Sequence, residues 1–209
     1  SEASNTVGAQ VVGATPGQGG MNAAQMLEGS LKAVLLLNTE PEFDSAAGVS
    51  AVKALSNSDM VVTLSPFKAN MAFSDVLLPI SPFTETSGSF VNAEGRVQSF
   101  HAVVKPLGET RPAWKVIRVI ANLLDLPGFE VESSLDVMTQ IHGGMLTGLS
   151  HVPAAMLNNS TNAAIDLSPA QNAPVAASIY QLDGIVRRAA SLQLTADARG
   201  GVAIDEVAA

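Results

Sequence analysis

Cysteine does not occur anywhere in the 209 residues. That excludes disulfides, thiolate zinc sites and cysteine-held iron–sulfur clusters from this stretch of polypeptide. Charge is scarce: Asp, Glu, Lys and Arg make up 14% of the chain, against roughly 25% in an ordinary soluble domain. Aromatics reach only 4%, so Ala, Val and Leu must carry the burial. A polypeptide that hides much of its surface in an assembly can do without charge, so burial against partners is expected, with an Ala-rich core accounting for part of the effect. Long apolar runs are missing too. Stretches such as Ala33–Leu37 fall far below the ~18 residues needed to span a bilayer, so no membrane insertion is expected. Basic clusters are also absent. The net charge is −8, and Arg187-Arg188 is the only adjacent pair of cations. Nucleic acid is therefore excluded as a partner, because phosphate binding needs clustered Lys and Arg to release counterions. A solvated or locally salt-bridged patch is expected for the arginine pair.

Length suits one α/β domain with an appendage. The first residue is Ser1, and no cleavable hydrophobic segment is visible, which reads as an excised piece of a longer polypeptide. Residues 5–20 are rich in Gly and Ala. Asn22 is an expected N-cap, with Gln25 three residues on completing a capping-box pattern and Gly29 as the stop. Ala33–Leu37 has the length and composition of a buried parallel strand. A helix is expected from Asp44 or Ser45, with Gly48, Ala51, Val52 and Leu55 on one face. Met60–Leu64 and Asp75–Leu78 are the next strands, separated by a helical turn at Pro66–Met71. Strand, helix, strand, short helix, strand is a βαβ order and predicts a parallel sheet.

Asn92 and Gly95 suit the first and fourth positions of a type I turn. A β-hairpin is expected there, with Val97–Val104 as its returning strand. Pro112 marks a first helical position behind an extended Arg111. Val116, Ile117, Ile120, Leu123 and Leu124 form the stripe of that helix, which ends at Leu126-Pro127-Gly128. A further short helix is expected from Ser134 to about Ile141. Beyond it the character changes, and from Gly143 to Leu182 the only charged residue is Asp166. The division is residues 1–142 as an α/β domain and 143–209 as a low-charge, extended, irregular C-terminal arm, with a flexible tail as the competing description.

Few constellations carry chemistry. Gly13–Gly20 precedes a helix, but the Lys-Ser/Thr of a phosphate loop is missing and the spacing is not that of a dinucleotide fingerprint. Glu40, Glu42 and Asp44 follow the first strand, where open α/β sheets bind ligands. An acid there could take a ribose hydroxyl or a metal, although a solvated loop with Asp44 capping a helix is the favoured account. Glu85, Asn92, Glu94 and Arg96 could form a polar cluster, with Asn92 setting the turn and Glu94 pairing with Arg96. His101, His142 and His151 are isolated, so no metal site is expected. No Gly-x-Ser-x-Gly nucleophile motif occurs, and no catalytic residue is assigned.

The segment Phe73–Trp114 is the most informative. Its strand Asp75–Pro79, followed by Glu85, Gly88, Phe90, Asn92, Glu94, Gly95, Arg96 and Gln98, resembles the molybdopterin oxidoreductase family. Within it, Pro82–Arg96 is similar to the branch formed by the large peripheral-arm subunit of bacterial NADH:quinone oxidoreductase (respiratory complex I). So is the Glu-x-Arg-Pro-x-Trp-Lys run holding Arg111, Trp114 and Lys115. The resemblance covers residues 5 to 141, and 182–193 looks similar to the end of that large subunit. It implies a partial doubly wound, Rossmann-like parallel sheet in a molybdopterin oxidoreductase-like domain. It also implies a parent chain at the cytoplasmic face of the bacterial inner membrane that carries electrons from NADH toward quinone.

Iron–sulfur clusters are then expected in the part of the parent chain not present here. Other peripheral-arm subunits of complex I are the implied partners. This piece would be a cofactor-free scaffold, and Glu85, Gly88, Asn92, Glu94 and Arg96 would be vestigial cofactor-side positions. Members of the family often have Gly-x-Asn-Pro where this chain has Asn38-Thr39-Glu40-Pro41, and a carboxylate near a diphosphate is repulsive. The alternatives are the pterin-dinucleotide-binding part of an active molybdenum enzyme such as a formate dehydrogenase, and a stand-alone nucleotide-binding regulator.

Overall fold

The computed structural model describes residues 4–28, 31–144, 146–157 and 178–199. The expected stop at Gly29, the side chain of His142, and residues 158–177 and 200–209 of the arm lie outside the described residues. In chain order the elements are α1 (Thr6–Val11), α2 (Ala23–Glu28), β1 (Ala33–Leu37), α3 (Pro41–Asp44), α4 (Val49–Leu55), β2 (Met60–Ser65), β3 (Val76–Pro79), β4 (Gly88–Val91), β5 (Val97–Phe100), α5 (Ala113–Leu123), α6 (Ser134–Gln140), α7 (Ile179–Leu182), α8 (Ala190–Gln193) and α9 (Ala196–Arg199). Short 3-10 turns intervene. The class is α/β, with a three-stranded parallel sheet in the order β1-β2-β3 and a separate antiparallel hairpin, β4-β5.

Local chemistry sets several of these boundaries. Asn22 and Gln25 exchange side-chain-to-backbone hydrogen bonds of 2.9 Å each, the reciprocal capping box expected from sequence. The helix expected from Asp44 divides in two. Pro41 opens α3, and Asp44 reaches back to accept the Glu40 amide at 2.6 Å. The second piece, α4, starts only after Gly48, whose φ of 52° is one that glycine adopts without strain. Asp75 fixes the β2–β3 register: its carboxylate accepts from the Val61 amide at 2.7 Å, and its own amide donates to the Val61 carbonyl.

β2 is the centre of the sheet and of its core. Leu64 and Thr63 are fully buried and Val61 nearly so, as are Ala51 and Leu55 of the crossover helix. β1 corrects the expectation of a buried strand, because Leu35 is 53% and Leu37 41% exposed. The reason lies in the register. Ala33, Leu35 and Leu37 pair with Met60, Val62 and Leu64, and the last two with Val76 and Leu78, so all share one face. On that face Leu64 is covered at the carboxyl end of β2, but no layer covers Leu35 and Leu37 of the edge strand β1, and Met60 and Val76 are exposed as well. Among the described residues, exposed large apolar side chains outnumber buried hydrophobic ones more than twofold.

A second cluster forms around the hairpin. Val11, Val91, Leu146 and Val152 are buried together, with Val7, Val97, Met138, Ile141 and Met156 packed against them. Asn5 ties α1 to this cluster by accepting the Val91 amide at 2.8 Å. Residues 150–152 run along the hairpin: the Val97 amide donates to the Ser150 carbonyl at 2.9 Å and the Val152 amide to Gly95 at 2.7 Å. The returning strand stops at Phe100 rather than Val104. Val103 and Val104 leave the ladder to donate their amides to the Thr84 carbonyl.

α5 begins one residue later than expected, with Pro112 as its N-cap. Val116, Ile117 and Ile120 are half-buried, but Leu123 and Leu124 are 79% and 65% exposed, so the stripe does not persist to the end of the helix. The terminus lies before Leu126-Pro127-Gly128. Asp125 adopts φ 54°, and the amides of Asp125 and Leu126 return to the Asn122 and Ala121 carbonyls. That is a Schellman motif built on an aspartate.

α6 opens with a full capping box of Ser133 and Asp136. The Glu132 amide, the Ser133 amide and the Ser133 hydroxyl, in that order, hold the Asp136 carboxyl below its ordinary 3.8. A depressed folded-state pKa stabilises above the unfolded value and ceases to do so as pH falls through the folded value. The stability gap between the parent chain and Asp136→Asn is expected to be constant near neutral pH and to shrink below pH 3.8. A gap that stays constant into acid would show that the cap does not stabilise the fold. For the core, Leu64→Ala should cost ~2–5 kcal/mol in urea denaturation, and Leu35→Ala less than about 0.5 kcal/mol. Equal losses would contradict this difference in burial.

Candidate functional site

Open parallel sheets bind ligands outside the carboxyl ends of their strands, and a crevice lies at that edge of this sheet. Here it is framed by the loops after β1, β2 and β3. Asn38, at φ 51°, sends its amide to the Leu64 carbonyl at 2.8 Å and turns the chain out of β1. Asn70, only 3% exposed, donates to the Thr39 carbonyl at 2.9 Å and locks the first loop to the second. The Ser65 hydroxyl accepts the Phe67 amide at 3.0 Å. These bonds place Glu40 and Asp44 on one side of the crevice and Phe67, Pro82 and Phe83 among its other walls, around a cavity of about 290 Å³.

Leu182, Asp183, Gly184, Ile185 and Arg187 complete the lining, from the far end of the chain. Glu40 is therefore not the residue of a solvated loop that the sequence suggested: it is 6% exposed. Each of its oxygens faces one arginine. Arg187 Nη2 lies 2.9 Å from Oε2 and Arg188 Nη2 lies 2.8 Å from Oε1. Arg187 also stands 3.8 Å from Asp44. The Arg187 approach is ionic more than directional, because Glu40 Oε2 and Arg187 Nε both lack an aligned hydrogen-bond partner. Each guanidinium also covers a ring, Arg187 at 4.3 Å over Phe43 and Arg188 at 3.9 Å over Phe67. Two carboxylates and two guanidiniums balance to zero charge. The arginine pair is thus neither a solvated nor a locally salt-bridged patch, because the acids it meets lie far away in the chain.

The family-motif positions do other work. The Glu85 carboxylate accepts the Leu107 amide at 2.9 Å and pins the loop that follows the hairpin. At Gly88 a Cβ would meet the Phe100 ring at 2.9 Å, so any larger residue would have to displace that ring. Asn92 Oδ1 accepts the amides of Glu94 at 3.1 Å and Arg96 at 2.9 Å, while Gly95 takes φ 79°. Asn92, Glu94 and Arg96 thus share one turn, while the Glu85 carboxylate is engaged elsewhere, at Leu107. Among the described residues the ion pairs all lie at Glu40 and Asp44. The expected Glu94–Arg96 pair does not form, because both side chains project from the turn into solvent.

Elsewhere the chemistry is sparse. Arg111, Trp114 and Lys115 line a cavity of about 590 Å³ with Glu85, Ser87 and Ser133. Trp114 is half-buried there, and its Nε1 has no partner. The Gly13–Gly20 loop links two six-residue helices and is exposed throughout. His101 is exposed, and His151 Nδ1 lies 3.2 Å from the Ser150 hydroxyl. Among the described residues no group of His, Cys, Asp or Glu could hold a metal ion, and no helix is long and apolar enough to cross a membrane. A diphosphate entering this crevice would meet two carboxylates, and the two arginines beside them are already paired with those acids. Sequence reasoning missed this closed site, although the only adjacent basic pair in an anionic chain and the spacing of Glu40, Glu42 and Asp44 were visible signals.

Residues 1–123 match the molybdopterin oxidoreductase family, so this chain belongs to that family. Relatives include an inferred formate dehydrogenase of Staphylococcus aureus, 44% identical over 72 residues, which cover 34% of this chain and 7% of the relative. An inferred oxidoreductase of Bacillus subtilis, YjgC, is 34% identical over 130 residues, 60% of this chain and 13% of its own length. The mitochondrial NADH-ubiquinone oxidoreductase 78 kDa subunit of Candida albicans is 48% identical over 54 residues, 26% of this chain and 8% of the subunit. The chain thus spans a small fraction of the relatives it matches.

Arg187→Ala leaves a buried carboxylate short of a partner and is expected to destabilise by ~3 kcal/mol. Arg188, with a third of its side chain exposed, should contribute about 1 kcal/mol or less. Thermal or urea unfolding of both variants, beside Arg199→Ala as an exposed control, checks this. Three equal effects would contradict the geometry.

Proposed function

We propose that this segment is the cofactor-free scaffold portion of a larger oxidoreductase, on the branch of the large peripheral-arm subunit of complex I. In that role the parent chain passes electrons from NADH toward quinone through clusters held outside these residues. The present residues supply framework and contact surface to neighbouring peripheral-arm subunits. The observation that carries this reading is Glu40 closed between Arg187 and Arg188, at the edge where a sheet of this class would receive a ligand. Fold and site are separable, so a module can keep the sheet and hairpin after the ligand crevice has been taken over by its own side chains. The exposed side chains of Leu35, Leu37, Met60 and Val76 on one face of the sheet are consistent with a surface completed by other polypeptide. No residue here is given a catalytic role.

A second reading has specific support. The relatives include formate dehydrogenases by name, and on that reading the segment would be the pterin-dinucleotide-binding part of a molybdenum enzyme. The two differ in what the full-length parent polypeptide contains. Elemental analysis of the purified parent is expected to give iron with acid-labile sulfide, no stoichiometric molybdenum or tungsten, and no pterin fluorescence after oxidative denaturation. One equivalent of molybdenum with pterin would overturn the scaffold reading in favour of the second.

A further inference from the structure

We propose that the crevice at the carboxyl edge of the sheet is a recognition site for a paired-arginine peptide, and that residues 178–193 of this same chain are its tethered occupant. This holds on either oxidoreductase reading. The receptor consists of Glu40 between two aromatic faces. Each carboxylate oxygen takes a separate guanidinium at 2.8 and 2.9 Å, and Phe43 and Phe67 each stack one guanidinium. Stacking and charge together call for arginine. An ammonium would supply the charge without the planar face.

The occupant is shaped for this contact. Neighbouring side chains of an extended peptide point to opposite sides, so two consecutive arginines reach one carboxylate only from a turn. The 3-10 turn Val186–Arg188 provides it. Asp183 caps that turn, accepting the amides of Ile185 at 2.9 Å and Val186 at 2.8 Å. Arg188 returns Nη1 to the Gly184 carbonyl at 2.8 Å, and Arg187 Nη1 bonds the Gln181 carbonyl. The Gln193 amide group ties α8 back to the carbonyls of Tyr180 and Val186. The whole segment is therefore organised around presenting two guanidiniums. Charge complementarity names the partner, since the only adjacent cations of a −8 chain lie against Glu40 and Asp44.

The test uses the complete chain carrying Arg187→Ala and Arg188→Ala, which vacates the crevice, and a fluorescein-labelled synthetic peptide of residues 178–199. Fluorescence polarisation should show saturable binding to this variant, at least about tenfold tighter than to the parent chain, whose own segment competes. Adding Glu40→Gln should weaken binding about thirtyfold or more, and replacing both peptide arginines by lysine about tenfold. Equal affinity for parent and vacated chains, or no binding to a vacated chain that keeps its circular dichroism, would overturn the proposal. Should the double alanine variant unfold, Arg187→Lys with Arg188→Lys keeps both charges. Amide exchange across 179–193 at least about tenfold faster than in the parent supports the proposal, and unchanged protection overturns it.

Discussion

Glu40 is a carboxylate withdrawn from water at the end of a parallel strand, and a lone buried charge of that kind costs several kcal/mol. Two guanidiniums from the far end of the sequence offset that cost, and Phe43, Phe67 and Asp44 in turn hold the guanidiniums in place. Much else follows from this contact. It ties the segment holding α7 and α8 to the carboxyl edge of the sheet, and it fills the crevice there with the chain's own charged side chains. The three loops at the carboxyl edge are kept in register by Asn38, Asn70 and Ser65, so the receptor side is built by the sheet's own geometry.

The hairpin obeys a different constraint. Its motif residues spend their polar groups on the backbone: Asn92 on the turn, Glu85 on the amide of Leu107, and Gly88 on a close approach to Phe100. These are needs of chain geometry, and they are enough to maintain such residues in a module without cofactor chemistry. Belonging to the molybdopterin oxidoreductase family is thus compatible with motif positions that hold structure alone.

Sequence reasoning located the three parallel strands, the hairpin turn, the Asn22 capping box and the short helix from Ser134, because each rests on local chemistry that a few adjacent residues encode. It failed where burial decides. The run Ala33–Leu37 has the composition of a covered strand, yet nothing in composition says whether a layer lies over it. Leu123 and Leu124 fit the stripe of α5 by spacing, but the Schellman turn at Asp125 and the absence of packing beneath them leave both outside. Val103 and Val104 suit a strand, and the competing acceptor at Thr84 drew them away.

The candidate site shows the same division. By themselves the residues fix the absence of cysteine ligands, the family motif, the acidic triplet after the first strand and the single arginine pair. They do not fix which acid meets which base, because ion pairing across most of the chain's length depends on where the chain returns. Tertiary structure made that choice by burying Glu40. A buried carboxylate accepts only partners that can reach it with charge and planar stacking, and Arg187 and Arg188 are the cations the fold delivers there.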